Sequence, residues 1–193
     1  MTGTKKRKGD KASQATSDEA AQRQNLRCEE YTDPKSGAKY YFVGNLLLLQ
    51  EPLLGLIASR ECPASKFIET LEKVPSWAKA GRVLVSGFHS PLEQQVLRSL
   101  LRRSGRAVKV LAHGMTQYHP EPDEYDSMAL GHFLAISALP PSARFTTRES
   151  ALECNRLVTA IAADLTIPHV SENSPLTDLI AELRNEGRCV DGV

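Results

Sequence analysis

Val83-Leu84-Val85-Ser86-Gly87-Phe88-His89-Ser90-Pro91-Leu92-Glu93-Gln94-Gln95-Val96-Leu97-Arg98-Ser99-Leu100-Leu101 reads in two halves. Val83 to Val85 is a short, nearly continuous apolar run, the pattern of a strand buried on both faces. Leu92, Val96, Leu97, Leu100 and Leu101 fall on one stripe at helical spacing. Between the halves, Ser90 predicts the N-cap and Pro91 the first helical position. Glu93, three after the cap, predicts the return partner of a capping box. The stretch is one strand-to-helix unit.

The same texture extends in both directions. Leu53 to Ile57, Ala107 to Leu111, Phe133 to Ile136 and Leu165 to Ile167 read as further short buried strands, and Arg188 to Val190 as a last one. Phe67, Ile68 and Leu71, with Glu69 and Lys73 at i, i+4, predict a helix before Val83. Leu157, Val158 and Ile161 mark another, opening near Thr147 to Ser150. The last runs from Ser174-Pro175 through Leu176, Leu179, Ile180 and Leu183 to Gly187 as C-cap. Strands alternating with helices at this spacing imply right-handed βαβ units. The expected fold is α/β: a mainly parallel sheet with helices on both faces. Residues 1 to 35 are polar, carry the basic cluster Lys5-Lys6-Arg7-Lys8, and are expected to be a solvated tail. Residues 36 to 193 are expected to form the one folded domain, with no room for a second.

Composition narrows the function. The chain has 193 residues, 41 % of them hydrophobic and 24 % charged, enough for one well-filled core. Lys and Arg number 24 against 23 Asp and Glu, a net charge of +1, so nucleic-acid binding would need a local patch. No apolar run approaches the roughly 20 residues that span a bilayer, and the N-terminus lacks an apolar signal core, so a cytoplasmic protein without membrane partners is expected. Cys28, Cys62, Cys154 and Cys189 are scattered without zinc-ligand spacing and are expected as reduced thiols.

In an open parallel sheet, ligands bind beyond the carboxyl ends of the strands, where helix N-termini present free N–H groups. Three junctions carry suitable residues: Ala58-Ser59-Arg60-Glu61-Cys62-Pro63, Ser86-Gly87-Phe88-His89-Ser90-Pro91 and Ser171-Glu172-Asn173-Ser174-Pro175-Leu176-Thr177. Each offers a hydroxyl, Arg60 can grip two phosphate oxygens, and Gly87 admits a close approach. Ser90 and Ser174 are equally helix caps, Arg60 equally a surface ion-pair partner, and His89 equally a structural donor. Asp123/Glu124 and Glu172/Asp178 read as solvated-loop and helix-start charges. Phe88 is the candidate for base stacking, but it is expected first as a core residue. Gly-x-Gly-x-x-Gly, Walker and Gly-x-Ser-x-Gly patterns are all missing, so no catalytic engine, cofactor or metal is indicated.

Read in order, these junctions resemble the nucleic-acid-binding Rossmann domain of the DNA-processing protein DprA (Smf) family, in the wider SLOG group that includes LOG-type nucleotide hydrolases. The resemblance rests on Gly44-Asn45-Leu46, Leu56-Ile57-Ala58-Ser59-Arg60 and Val83 to Gly87. It continues through Val110-Leu111-Ala112-His113-Gly114-Met115, Tyr118-His119-Pro120, Cys154-Asn155-Arg156-Leu157-Val158, Ser171 to Thr177 and Glu186-Gly187-Arg188. Ser59 to Pro63 and Ser86 to Pro91 resemble a short, single-domain branch of the family. Ala58 stands where the family has a first glycine and Cys154 where it has an arginine. The flanking domains of the long forms and the hydrolases' Pro-Gly-Gly-x-Gly-Thr pattern have no counterpart.

The resemblance implies a non-enzymatic binder of single-stranded DNA or of a nucleotide, in DNA processing, uptake or recombination, with a homodimer as a further implication. Ser59, Arg60, Ser86, Gly87, His89, Ser90, Asn155, Arg156, Ser174 and Thr177 would form its phosphate-binding crevice. The rival is a LOG-like enzyme acting on a nucleoside phosphate through Glu172 or Glu149. Glu149 is also explained as a capping-box partner of Thr146. A nucleotide-sensing SLOG domain is the third reading.

Overall fold

The quoted stretch folds as its pattern predicts. Val83–Ser86 is a strand and Pro91–Leu101 a helix, opened by Ser90 and Glu93 in a reciprocal capping box. The computed structural model describes residues 27–34, 36–144, 147–171, 174–188 and 190–192. In chain order the strands are β1 (Glu29–Thr32), β2 (Lys39–Gly44), β3 (Leu53–Leu56), β4 (Val83–Ser86), β5 (Arg106–Val110), β6 (Phe133–Ser137), β7 (Asp164–Thr166) and β8 (Val190–Asp191). The helices are α1 (Ala64–Lys79), α2 (Pro91–Leu101), α3 (Pro122–Ala129), α4 (Arg148–Ile161) and α5 (Pro175–Asn185). Short 3-10 turns lie at Leu46–Gln50 and Met115–Gln117.

All eight strands form one sheet in the order β1-β2-β6-β5-β4-β3-β7-β8. The run from β6 to β8 is parallel, and β1 and β2 add an antiparallel hairpin at the β6 edge. Side chains alternate between two cores, as the period of a strand requires. Leu53, Val83, Val85, Val108, Val110, Leu134, Ile136 and Leu165 meet Cys154 and Val158 of α4 and Leu176, Leu179, Ile180 and Leu183 of α5. Leu54, Leu56, Leu84, Ala107, Phe133 and Ala135 meet Val74 of α1 and the apolar stripe of α2 on the other face. Every position of β3, β4 and β6 is buried, which is why those strands read as unbroken apolar runs. The fold is therefore a Rossmann-like α/β sheet covered on both faces.

Three details differ from the sequence expectations. The boundary drawn at residue 35 falls inside the β1–β2 hairpin, so the sheet begins at Glu29; residues 1–26, including the basic cluster, lie outside the described residues. Thr147 rather than Thr146 caps α4, and its capping-box partner is Ser150 rather than Glu149. Thr146 itself lies outside the described residues. Glu124 is buried rather than solvated, because Lys109 Nζ reaches it at 2.6 Å and the Tyr118 hydroxyl at 2.8 Å. Phe88 is a core residue as expected, 4 % exposed, and so offers no stacking platform.

Cys28, Cys62 and Cys154 are free thiols, and Cys189 lies outside the described residues. Among the described residues no helix is long and apolar enough to cross a membrane.

Candidate binding site

The strand order reverses between β3 and β7, and the helices that follow them leave to opposite faces: α1 to one core, α5 to the other. Such a switch point opens a crevice at the carboxyl ends of the strands. Here the two loops are stitched together along its floor. Ile57 N donates to Thr166 O at 3.2 Å and Ser59 N to His169 O at 3.2 Å. Ser171 N donates to the Ser59 hydroxyl at 2.9 Å, and the Ser171 hydroxyl to Glu61 O at 3.1 Å.

Arg60 stands on this stitched floor. Its side chain is exposed and makes no hydrogen bond or ion pair with any described residue. The helix beside it, α1, opens on Pro63, which supplies no side-chain cap, whereas α2, α4 and α5 open on capping hydroxyls of Ser90, Thr147 and Ser174. Of the three predicted junctions, the first is thus the one that leaves a guanidinium unpaired next to an uncapped helix N-terminus.

The β4 loop forms the adjoining wall. Ser86 is fully buried and accepts the Phe88 N–H at 3.0 Å, holding Phe88 at a left-handed φ of 53°. Gly87 then lets the His89 ring fold back across it to Cys154 of α4, Nε2 to Sγ 3.4 Å. Burial pushes the His89 imidazole below its ordinary pKa, and Lys109, His113 and Arg60 push the same way, so the rim carries a positive field. Burial pushes the Cys154 thiol up to about 12, leaving it a neutral donor to Val110 O at 3.2 Å. Glu93, first read as a helix cap alone, also reaches outside its helix to accept the Ala58 N–H at 2.7 Å. Burial pushes its carboxyl up, against the pull of the backbone N–H groups it accepts.

The remaining predicted residues flank this centre. Asn155 is half-buried on α4, and Arg156 is exposed there, held by Glu153 at 3.2 Å and Glu182 of α5 at 3.4 Å. Ser174 accepts the Leu176 N–H at 3.3 Å as the α5 cap, and Thr177 is exposed in the first turn of that helix. The structure therefore brings Ser59, Arg60, Ser86, Gly87, His89 and Ser90 together and leaves Asn155, Arg156, Ser174 and Thr177 on the neighbouring helices. Glu149 is in the first turn of α4, and Glu172 lies outside the described residues. Arg188, expected at the start of the last strand, precedes β8 instead. Its guanidinium in fact caps the end of α4, donating to Ala162 O at 2.7 Å and to Thr159 O.

With this geometry in hand, the family model for DNA recombination-mediator protein A matches residues 24–175. Among solved structures, DNA processing protein A from Helicobacter pylori, described for its single-stranded DNA binding mode, superposes with a TM-score of 0.70. Identity is 18 %, over 86 % of this chain and 80 % of that one. DNA processing protein A from Streptococcus pneumoniae superposes with a TM-score of 0.68 at 18 % identity. That match covers 91 % of this chain and 65 % of the other, so this chain spans just under two thirds of that relative. A search of curated proteins finds no match.

Proposed function

The chain belongs to the DNA recombination-mediator protein A family, and from that premise we propose that it binds single-stranded DNA through the phosphate backbone at the β3–β7 switch point, in DNA processing, uptake or recombination. The observation that carries this reading is Arg60, exposed and without a partner among the described residues. Its fork can hold two oxygens of one phosphate, and the first N–H groups of α1 can donate to the same anion. His89 lines the adjoining wall. Ser59, Ser86, Gly87 and Ser90 fix the two loops, and Asn155, Arg156, Ser174 and Thr177 border the path on α4 and α5. Contacts of this kind give affinity without reading sequence.

The test is a titration of labelled single-stranded oligonucleotide at several salt concentrations, with Arg60→Ala alongside. We expect salt-sensitive binding that weakens about tenfold or more in the variant, with the salt slope reduced by about one. Folded protein that leaves the oligonucleotide unbound at low salt overturns the reading. A nucleoside monophosphate that displaces the oligonucleotide at equal concentration would move the ligand from polymer to nucleotide. The same reading places the protein in the cytoplasm and pairs it as a homodimer, which sedimentation of the same sample checks.

A further inference from the structure

We propose that Glu93 is a positioning residue for this site: its buried carboxylate fixes the Arg60-bearing loop against the β4 loop. The proposal rests on reading Arg60 as the phosphate contact. A glutamate at the third helical position of a capping box needs to reach only the N–H of the cap residue and can do so from the helix surface. Glu93 is 4 % exposed and does more. Oε2 accepts Ser90 N at 3.0 Å and also His89 N at 2.7 Å, while Oε1 is spent wholly outside the helix, on Ala58 N at 2.7 Å.

Three backbone donors from two loops thus converge on one carboxylate. Burying a charge is costly unless hydrogen bonds replace its water, and here they come from the segments that carry the site. Ala58 lies two residues before Arg60. Ser59, between them, is held from the opposite side by His169 O and Ser171 N. The Arg60 backbone therefore leaves a segment gripped from α2 on one side and from the β7 loop on the other. Shortening Glu93 withdraws the acceptor from the buried Ala58 N–H, and Glu93→Gln leaves one carbonyl oxygen for donors on two sides, so the guanidinium loses its fixed root.

The test uses Glu93→Gln and Glu93→Asp in the full chain, first without ligand. Both are expected to speed amide hydrogen exchange at Ala58 by about tenfold, the cost of an unsatisfied buried donor. The aspartate keeps the charge and its favourable place in the first turn of α2 but lacks the reach to Ala58. Oligonucleotide affinity is then measured for Glu93→Gln, Arg60→Ala and the double variant. A positioning role predicts about tenfold weaker binding in Glu93→Gln and no further loss when it is added to Arg60→Ala. Unchanged exchange at Ala58, or losses that simply add, overturns the proposal. Wild-type protein that fails to bind sinks the DNA reading instead, and the exchange data still decide the clamp.

Discussion

The His89 imidazole lies against the Cys154 thiol, Nε2 3.4 Å from Sγ, and so ties the β4 loop to α4 across the carboxyl edge of the sheet. Gly87 makes this possible. A Cβ at that position would sit 2.5 Å from His89 Cδ2, 2.6 Å from Nε2 and 2.9 Å from the Cys154 sulfur. The exposed His89 ring can swing aside, but the Cys154 sulfur is buried and cannot yield cheaply.

Gly87→Ala therefore drives the ring off its seat. The expected cost is about 1–3 kcal/mol, as for overpacking elsewhere. In a chain of this size that lowers the melting temperature by about 2–4 °C per kcal/mol. A thermal melt checks it, and a variant melting with the wild type would show that the ring is not packed against the glycine.

Cys154 makes stability fall in alkali. The native thiol holds its proton up to about 12, while the unfolded thiol releases it from its ordinary value of 9.0. Between those values the native state binds more protons than the unfolded one, so stability declines as pH rises through the window. Melting temperatures measured from pH 8 to 11 should fall more steeply for wild type than for Cys154→Ala. Parallel curves would refute the assignment.

How far the sequence carried depends on where each residue's partners come from. Strands buried on both faces are legible from their own side chains, so β3, β4, β5 and β6 lie within a residue of the apolar runs that predicted them. The Ser90 and Ser174 caps are legible too, because a cap bonds within its own turn. β1 was missed because Glu29-Glu30-Tyr31-Thr32 is a mostly exposed edge strand, and its pairing with Thr32↔Lys39 register belongs to the hairpin. Glu124 looked solvated because its partner Lys109 is 15 residues away on β5. The reach of Glu93 to Ala58 and the isolation of Arg60 are likewise tertiary facts. A motif can name Arg60, but only the fold shows that no described carboxylate reaches it.

The Lys109–Glu124 pair predicts a large effect from one truncation. Glu124 is 3 % exposed at its side chain, and Lys109 supplies its only charged partner among the described residues. Lys109→Met leaves the carboxylate with the Tyr118 hydroxyl and the Glu121 N–H alone. Removing one member of a buried pair costs about 3–5 kcal/mol. Denaturant unfolding should show a loss of that order for Lys109→Met and a smaller one for Lys109→Met combined with Glu124→Leu. Equal stability of wild type and the single variant would mean that the pair is solvated.

Binding should take up a proton at His89. In the free protein, burial first and then Lys109, His113 and Arg60 hold its pKa below the ordinary 6.5, so the ring is neutral at pH 7. The other groups near it are Cys154, neutral in this range, and the buried Glu93 carboxyl. A phosphate on Arg60 brings negative charge beside the imidazole and favours its protonated form. The pKa therefore rises on binding, the complex holds more protons than the free partners, and affinity climbs as pH falls from 8 to 6. Each unit of upward shift corresponds to about 1.4 kcal/mol, or tenfold, across the titration. Oligonucleotide affinities at pH 6, 7 and 8 should rise toward acid for wild type and flatten for His89→Gln. An acid-side rise that survives intact in His89→Gln would refute the assignment to His89.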